Sequence, residues 1–156
     1  MKLAYAVQMA KQTGIHVVAS ASSADLDYVL DLGAERVMDY RTERFEELLT
    51  GVDAVLDTVG GEIQLRSLQV LKPGGILISV VSPVRQSAQK RYDVRTAYFY
   101  VDVTTARLNR IRDLFDSGKL STNVGTVLPL EEAHIAHEML GGAPHKRGKI
   151  ALSIGA

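Results

Sequence analysis

Few side chains in this sequence could act as catalysts on their own. The chain contains no cysteine, which excludes disulfides and thiolate metal ligands within it. No serine stands in the Gly-Xaa-Ser-Xaa-Gly pattern of a nucleophile elbow. His134, His137 and Glu138 have the i, i+3, i+4 spacing of one helix face and could bind a metal, but a solvated helix face explains them more simply. The sequence therefore predicts no metal, and it shows no catalytic pair of side chains.

Residues at the ends of predicted strands are the candidates for binding a small-molecule ligand. In open α/β sheets, ligands bind beyond the carboxyl ends of the strands. Ser20 and Ser22 follow one predicted strand, Thr58–Gly60 follow a second, and Val80–Ser82 close a third. Each group also has a structural explanation. Ser22 fits a helix N-cap with Asp25 completing a capping box, Thr58–Gly60 fit a turn that needs glycine, and Val80–Ser82 fit the end of a core strand.

Composition and charge are those of an ordinary globular chain. It has 156 residues, of which 46% are hydrophobic and 23% are charged, and this length suggests one domain. Its 18 basic residues balance its 18 acidic residues, so nothing favours nucleic acid or an anionic membrane as a partner. The sequence shows neither the apolar core of a signal peptide nor an apolar run long enough to span a bilayer. We therefore expect a soluble protein of the cytoplasm.

Strands and helices alternate along most of the chain. A helix with Leu3, Val7 and Ala10 on one face opens the sequence. Predicted strands follow at 15–19, 36–39, 53–57, 76–81 and 96–101, separated by helices from 22 to 33, at 43–49, at 62–71 and at 104–117, with a polar loop at 82–94. This alternation predicts βαβ units and an α/β fold with a Rossmann-like, doubly wound parallel sheet. The remainder reads as a strand at 124–128, a helix at 131–140 and a strand at 149–154.

An ordered set of short motifs resembles one protein superfamily. The segments are AVQMAK (6–11), DLGAE (31–35), DYR (39–41), VDAVLDTVGG (52–61), LKPGG (71–75) and RGKIAL (147–152). Their order and spacing resemble the C-terminal half of the medium-chain dehydrogenase/reductases. The nearest branch resembles the zinc-independent NADPH:quinone oxidoreductases. The resemblance extends over essentially the whole chain.

The resemblance implies hydride transfer from NADPH to a quinone, an enone or a related carbonyl compound in the complete protein. It also implies that residues 1–118 form a Rossmann-like dinucleotide-binding domain without its first strand and glycine-rich turn, and that residues 119–156 form a tail resembling part of a catalytic domain. No Gly-Xaa-Gly-Xaa-Xaa-Gly motif occurs in the chain, although that turn normally brings the backbone close to a pyrophosphate. We therefore expect a truncated chain with little or no activity alone. Either the remaining strands pair directly where the first strand of the sheet is missing, or another segment takes the place of that strand.

The same resemblance implies a set of cofactor contacts and a cofactor preference. The predicted contacts are Ser20, Ser22, Tyr40, Arg41, Thr58, Val59, Gly60, Val80, Val81, Ser82, Phe99, Tyr100 and Val101. Tyr40 and Arg41 would lie near the 2′-phosphate. The segments Thr58–Gly60, Val80–Ser82 and Phe99–Val101 would lie near the nicotinamide and its ribose. Ser20 stands where NAD-binding proteins carry an acidic residue, which favours NADP(H) over NAD(H). Asp25 argues the other way, because many NADP-dependent members carry a lysine there.

The predicted partners are a small carbonyl or quinone substrate and a second copy of the chain. We expect the strands at 124–128 and 149–154 to pair with each other or with another copy, because unpaired strands leave backbone groups open. The strand at 96–101 is a candidate edge, and the resemblance favours a homodimer. Two other interpretations stay open. One is a non-catalytic dimerising fragment, and the other is a methyltransferase-like domain that binds S-adenosylmethionine, since LKPGG before an apolar strand also occurs in such enzymes.

Overall fold

The computed structural model describes residues 2–155, which fold as alternating helices and strands. The helices are α1 (Lys2–Gln12), α2 (Leu26–Asp31), α3 (Phe45–Leu48), α4 (Gly61–Val70), α5 (Gln86–Tyr92), α6 (Thr105–Asp116) and α7 (Ala133–Leu140). The strands are β1 (Val18–Ala21), β2 (Arg36–Asp39), β3 (Val52–Asp57), β4 (Leu71–Ser79), β5 (Arg95–Tyr98), β6 (Val124–Pro129) and β7 (Lys149–Ser153). Short 3-10 turns precede α2 and α7 at Ser23–Asp25 and Leu130–Glu132.

All the strand pairs among these residues are parallel, which confirms the predicted Rossmann-like α/β fold. β1 pairs with β2, β3 pairs with β4 and β4 with β5, and β6 pairs with β7. Helices connect the strands within each sheet, as parallel pairing requires. None of the helices in residues 2–155 is long and apolar enough to cross a membrane.

The parallel sheet is divided between β1 and β3. Within residues 2–155, β1 is hydrogen-bonded only to β2, and β3 only to β4. The core is divided at the same place. One cluster contains Val7, Ala19, Ala21, Val29 and Ala34, and the other contains Leu68, Leu71, Leu77, Val84 and Val94. The strands have therefore not closed up, and β1 and β3 each keep one open edge.

The start of two strands differs from the sequence prediction. β1 begins at Val18 rather than Ile15, whose side chain is 59% exposed. The pairing explains this, because the first residue of β2, Arg36, lies opposite Val18. β4 begins at Leu71, directly after α4, and the predicted loop at Lys72–Gly75 is part of the strand. An irregularity in the pairing between Val52 and Ala54 accommodates this proline- and glycine-containing stretch.

Two predictions around β5 are wrong. The predicted loop at 82–94 contains α5, which is anchored by the buried side chains of Val84 and Val94 on either side. β5 ends at Tyr98, so Phe99–Val101 lie beyond the strand. The reason is the length of its partner, because Tyr98 pairs with Ser79, the last residue of β4. The helix predicted at 104–117 forms as α6, where Leu108 and Ile111 are 54% and 43% exposed.

The C-terminal strands pair with each other, as one of the two predicted arrangements required. β6 and β7 form a parallel ladder with α7 between them in sequence. This unit contacts α1, where the Tyr5 hydroxyl lies 2.6 Å from the Thr122 hydroxyl. Gln8 of α1 donates to the Ser121 carbonyl oxygen, and its own side-chain oxygen accepts from the Ser121 amide. The tail is therefore attached to the first half of the sheet.

Candidate functional site

The register brings the predicted site residues to the carboxyl ends of the strands. Ala21 lies opposite Asp39 at the ends of β1 and β2. Asp57, Ser79 and Tyr98 lie level at the ends of β3, β4 and β5. The residues that follow these ends therefore form two groups, one on each half of the divided sheet.

The turn after β3 packs directly on the segment after β4. Gly60 is buried with a φ of +81°, and a Cβ at this position would lie 3.0 Å from Cγ1 of Val81. The Val80 amide donates to the carbonyl oxygen of Asp57 at 3.0 Å. Glycine is needed here both for the positive φ and for the close approach. The structure thus joins Thr58–Gly60 to Val80–Ser82, two segments that the sequence predicted separately.

A buried carboxylate, that of Asp57, organises this turn. Its side chain belongs to a residue only 3% exposed. One oxygen accepts hydrogen bonds from the amides of Val59 at 3.0 Å and Gly60 at 2.8 Å. The other accepts from the Ser79 hydroxyl at 2.8 Å and from the Gln64 side-chain amide at 2.9 Å. Both oxygens are therefore satisfied by four donors, as a buried charge requires.

Ser79 and Gln64 extend this network to the segment after β4. The Ser79 hydroxyl oxygen accepts from the amides of Val81 at 3.1 Å and Ser82 at 3.2 Å. The Gln64 side-chain amide donates to the Ser82 carbonyl oxygen at 2.9 Å. Asp57 is thus connected to the turn directly and to the segment Val80–Ser82 through two neighbours.

The hydrogen bonds of Asp57 keep it ionised. Burial of the carboxyl would raise its pKa, but the hydrogen bonds from the Gly60 amide, the Ser79 hydroxyl, the Val59 amide and the Gln64 side chain outweigh burial and hold the pKa below its usual value. The group is therefore an acceptor, not a donor, at neutral pH.

The group on β1 and β2 is built around a second carboxylate, that of Asp39. This residue is 7% exposed. Its oxygens accept from the Ser23 hydroxyl and, at 2.9 Å, from the Arg41 amide, and the same two hydrogen bonds, that of Ser23 foremost, lower its pKa. Tyr40 is 55% exposed, and the Arg41 guanidinium lies 5.7 Å from the centre of its ring. An aromatic face and a cation are therefore presented together at the end of β2.

The two predicted serines, one in β1 and one directly after it, have different surroundings. Ser20 is exposed on β1. Ser22 has the extended backbone of an N-cap, but its hydroxyl donates to the Asp25 carboxylate at 2.8 Å rather than accepting from a backbone amide. The predicted capping box is therefore wrong in its geometry. The Asp25 carboxylate is also paired with the Arg147 guanidinium at 2.5 Å, which offsets its negative charge beside this group.

The third predicted segment, Phe99–Val101, lies in the open. Phe99, Tyr100 and Val101 are 52%, 83% and 79% exposed. The rings of Tyr98 and Tyr100 pack edge to face with their centres 5.1 Å apart. The register places Phe99 one position beyond Ser79, next to the start of Val80–Ser82.

Comparisons with known proteins decide the family. The profile of a family described as zinc-binding dehydrogenase matches residues 32–152. The chain belongs to the zinc-binding dehydrogenases. This confirms the resemblance to the medium-chain dehydrogenase/reductases and to their quinone oxidoreductase-like branch.

The chain spans about half the length of the three similar proteins that follow. The quinone oxidoreductase from Coxiella burnetii superposes with a TM-score of 0.86 and 30% identity, over 97% of this chain and 49% of that one. The mitochondrial NAD(P)H oxidoreductase RTN4IP1 of Danio rerio is 26% identical over 96% of this chain and 46% of its own length. Mycobacterial Rv1454c, solved in complex with NADPH, superposes with a TM-score of 0.78 and 25% identity, over 95% and 52%.

The name of the zinc-binding dehydrogenase family raises the question of metal ligands. Within the part of the chain that the structure describes, no group of three or more histidine, aspartate or glutamate side chains is placed to hold a metal ion. His134, His137 and Glu138 are exposed on α7, which agrees with a solvated helix face.

Sequence reasoning missed the residues that organise the site. Asp57, Gln64, Ser79, Asp39 and Ser23 were not among the predicted contacts. A signal was present, because an aspartate at the end of a strand can bond the backbone amide two residues later and form an Asx turn. Asp39 and Asp57 both do so. The roles of Gln64 and Ser79 depend on long-range packing and had no local signal.

Proposed function

We propose that this chain is the cofactor-binding half of an NADPH-dependent oxidoreductase that reduces quinones, enones or related carbonyl compounds. Residues 1–118 would bind the dinucleotide, and residues 119–156 would belong with a catalytic domain. The observation that carries this proposal is the convergence of Thr58–Gly60 and Val80–Ser82 at the carboxyl ends of parallel strands. This is the place where open α/β sheets bind their ligands.

The residues present fit the two ends of a dinucleotide. Ser20, Tyr40 and Arg41 offer a hydroxyl, an aromatic face and a cation on one half of the sheet. On the other half, backbone groups of Thr58–Gly60 and Val80–Ser82 would meet the nicotinamide side, with Phe99–Val101 beside them. NADPH, when bound, supplies the hydride. The chain's own residues bind and orient it, and a glycine-rich cradle for the pyrophosphate is absent from the sequence.

Preference for NADP(H) over NAD(H) rests on the charges around the first group. No acidic residue ends β1, where Ser20 and Ala21 stand. Asp25, which would repel a 2′-phosphate, is paired with Arg147. Arg41 is exposed beside Tyr40 and supplies positive charge where the 2′-phosphate would lie.

Two further properties belong to the proposal. We propose hydride transfer without zinc, because the chain offers no cysteine and its two helical histidines are exposed on α7. A cytoplasmic location is proposed on the balanced charge and ordinary globular composition. The relative from Danio rerio is described as mitochondrial, so fractionation of cells that produce the complete protein is the test of location.

The test of cofactor binding is a calorimetric titration of the purified chain with NADPH and then with NADH. We expect micromolar binding of NADPH and weaker binding of NADH. Arg41→Ala should lower the affinity for NADPH by about tenfold, because it removes a charge-assisted contact with the phosphate. The affinity for NADH should not change. Arg95→Ala is the matched control, because Arg95 is exposed at the opposite, amino-terminal end of β5. Absence of heat with either cofactor would contradict the proposal for this chain.

A specific observation also favours a dimerising role. Phe99, Tyr100, Val101 and Val103 form an exposed apolar stretch beyond the edge strand β5. Such a stretch on an open edge is typical of an interface, and the resemblance to the family also implies a homodimer. Sedimentation of the wild type and of Tyr100→Ser distinguishes the cases. We expect a dimer that Tyr100→Ser weakens, whereas a wild type that remains a monomer at high concentration would contradict this role.

A further inference from the structure

The network around Asp57 has a property that ordinary turn stabilisation does not need. A turn after a strand is complete with one Asx hydrogen bond, which here is the Val59 amide to the Asp57 carboxylate. The second carboxylate oxygen instead reaches away from the turn, to Ser79 on the neighbouring strand and to Gln64 on α4. One buried anion therefore connects three separate elements of the chain.

We propose that Asp57 is a positioning residue that fixes the Thr58–Gly60 turn and the Val80–Ser82 segment at one mutual distance, so that a nicotinamide finds both in place. The benefit of this positioning rests on the proposed cofactor-binding function. The hydrogen bonds that produce the positioning are observed independently of that function. The Asp57 carboxylate holds the amides of Val59 and Gly60 directly, and it holds the amides of Val81 and Ser82 through the Ser79 hydroxyl.

The arrangement of donors fixes the direction of each hydrogen bond. Ser79 has one hydroxyl proton, which it donates to the Asp57 carboxylate. Its oxygen is then free to accept from Val81 and Ser82. Gln64 donates both to the Asp57 carboxylate and to the Ser82 carbonyl oxygen. In Asp57→Asn, the NH2 group of the new side chain would face either the amides of Val59 and Gly60 or the donors of Ser79 and Gln64. One of these two sets of hydrogen bonds is therefore lost, although the side chain keeps its size.

The packing of Gly60 on Val81 shows why the distance matters. The two segments touch at Gly60, where no Cβ can be added without contact with Val81 at 3.0 Å. Outside this contact Val59 is 65% exposed and Val81 is 39% exposed. Both segments therefore keep exposed side chains, and they are joined by the Gly60–Val81 contact, by the backbone hydrogen bond from Val80 to Asp57 and by the buried network of Asp57.

The first experiment measures amide hydrogen exchange by nuclear magnetic resonance in the wild type, Asp57→Asn and Asp53→Asn. Asp53 is the matched control, because it lies on the same strand but is exposed and paired with Lys72. We expect the amides of Val59, Gly60, Val81 and Ser82 to exchange at least tenfold faster in Asp57→Asn and unchanged in Asp53→Asn. In the wild type the shifts of the Val59 and Gly60 amide protons should follow a single titration below the usual aspartate range, and Asp57→Asn should abolish it.

A second variant keeps the test decisive if Asp57→Asn does not fold. Ser79→Ala removes the acceptor for Val81 and Ser82 but leaves the hydrogen bonds of Val59 and Gly60. We expect faster exchange at Val81 and Ser82 alone. Unchanged exchange at those two amides in Ser79→Ala, or at all four amides in a folded Asp57→Asn, would overturn the proposal.

The second experiment separates positioning from the proposed function by using two ligands. NADPH and 2′-phospho-ADP-ribose, which lacks the nicotinamide, are titrated into the wild type and Asp57→Asn. Positioning predicts that the variant loses at least tenfold in affinity for NADPH and less than twofold for the fragment. Equal losses for both ligands would contradict it. If the wild type binds neither ligand while the four amides still respond as expected, the positioning role stands and the proposed cofactor function fails.

Discussion

The two halves of the divided sheet organise their strand ends in different ways. β2 and β3 both end in an aspartate whose carboxylate accepts from the backbone amide two residues later, Arg41 in one case and Val59 in the other. The Asp39 carboxylate then bonds Ser23, at the start of the turn before α2. The Asp57 carboxylate bonds Ser79 and Gln64 on other elements and reaches the neighbouring segment.

The hydrophobic clusters beneath these two sites differ in the size of their buried side chains. The cluster under β1 and β2 consists of three alanines and two valines. The cluster under β3–β5 contains Leu68 and Leu77, which are 1% and 0% exposed. Larger buried side chains remove more apolar surface from water. The fully buried side chains are therefore larger in the β3–β5 half, whereas the larger side chains of the β1–β2 half, such as Leu26, Tyr28 and Leu32, are only partly buried.

The largest expected difference between the halves is in core truncation. Leu77→Ala in β4 should lower the free energy of unfolding by about 3–4 kcal/mol, because it leaves a cavity in the tighter core. Val29→Ala in α2 removes less volume and should cost about 2 kcal/mol or less. Urea unfolding of both variants measures this. Equal losses, or a larger loss for Val29→Ala, would show that the two cores are not different.

A comparison of two glycines sharpens the account of the turn after β3. Gly60 and Gly51 have similar positive φ values, +81° and +70°, but only Gly60 has a neighbour against its would-be Cβ. Gly51→Ala should cost about 1 kcal/mol from backbone strain. Gly60→Ala should cost about 2–3 kcal/mol, because its ψ of −167° places it in a backbone region essentially restricted to glycine and because Val81 must also move. Thermal unfolding of the pair gives the difference, and identical shifts would mean that the contact with Val81 does not matter.

The ion pairs of the two halves should differ in strength. Glu46 on α3 and Arg66 on α4 form two hydrogen bonds, of 2.7 and 2.6 Å, with the Glu46 side chain 6% exposed. Asp25 and Arg147 are about 40% exposed. We expect Glu46→Gln to cost about 2 kcal/mol and Asp25→Asn less than about 1 kcal/mol at neutral pH, both by urea unfolding.

The pH dependence of the Glu46 pair follows from its pKa. The hydrogen bond from Arg66 lowers the pKa of Glu46 from 4.5 to about 2. Because the folded-state value is the lower one, the stabilisation is fully present above about pH 4.5 and is lost as the pH falls toward 2. The difference between wild type and Glu46→Gln should therefore shrink across this window. A difference that stays constant down to pH 2 would contradict the assignment.

The smallest expected effects are at single amides along the open strand edges. In β4, which is paired on both sides, every amide of the regular stretch 76–79 should be protected from hydrogen exchange. In β3, which is paired on one side within residues 2–155, alternate amides should exchange faster. Uniform protection along β3 in solution would show that another strand occupies its open edge.

The fold was predictable because its signals are local. The alternation of apolar runs with helical periods located every β-strand to within a few residues, and β2 was predicted without error at Arg36–Asp39. Errors arose where pairing sets the limits of a strand. β5 stops at Tyr98 because β4 stops at Ser79, and no property of Phe99–Val101 itself reveals this. The helix α5 was missed because its residues, Gln86–Tyr92, are polar and basic.

The site was only partly predictable. Glycine at position 60 and the motif around it pointed to the turn after β3, and the structure joins this turn to Val80–Ser82. The buried network could not be foreseen, because Gln64 meets Ser82 across 18 residues and Ser79 meets Asp57 across 22. Such contacts depend on which strands become neighbours, and the division of the sheet between β1 and β3 depends on the same long-range pairing.

The central claim is that one dinucleotide contacts both halves of the divided sheet. Nuclear magnetic resonance titration of the labelled chain with NADPH tests it most directly. We expect the amides of Tyr40 and Arg41 and those of Gly60 and Val81 to shift together, with one common dissociation constant. Shifts confined to one half, separate dissociation constants for the two halves, or no shift at any of these amides would contradict it.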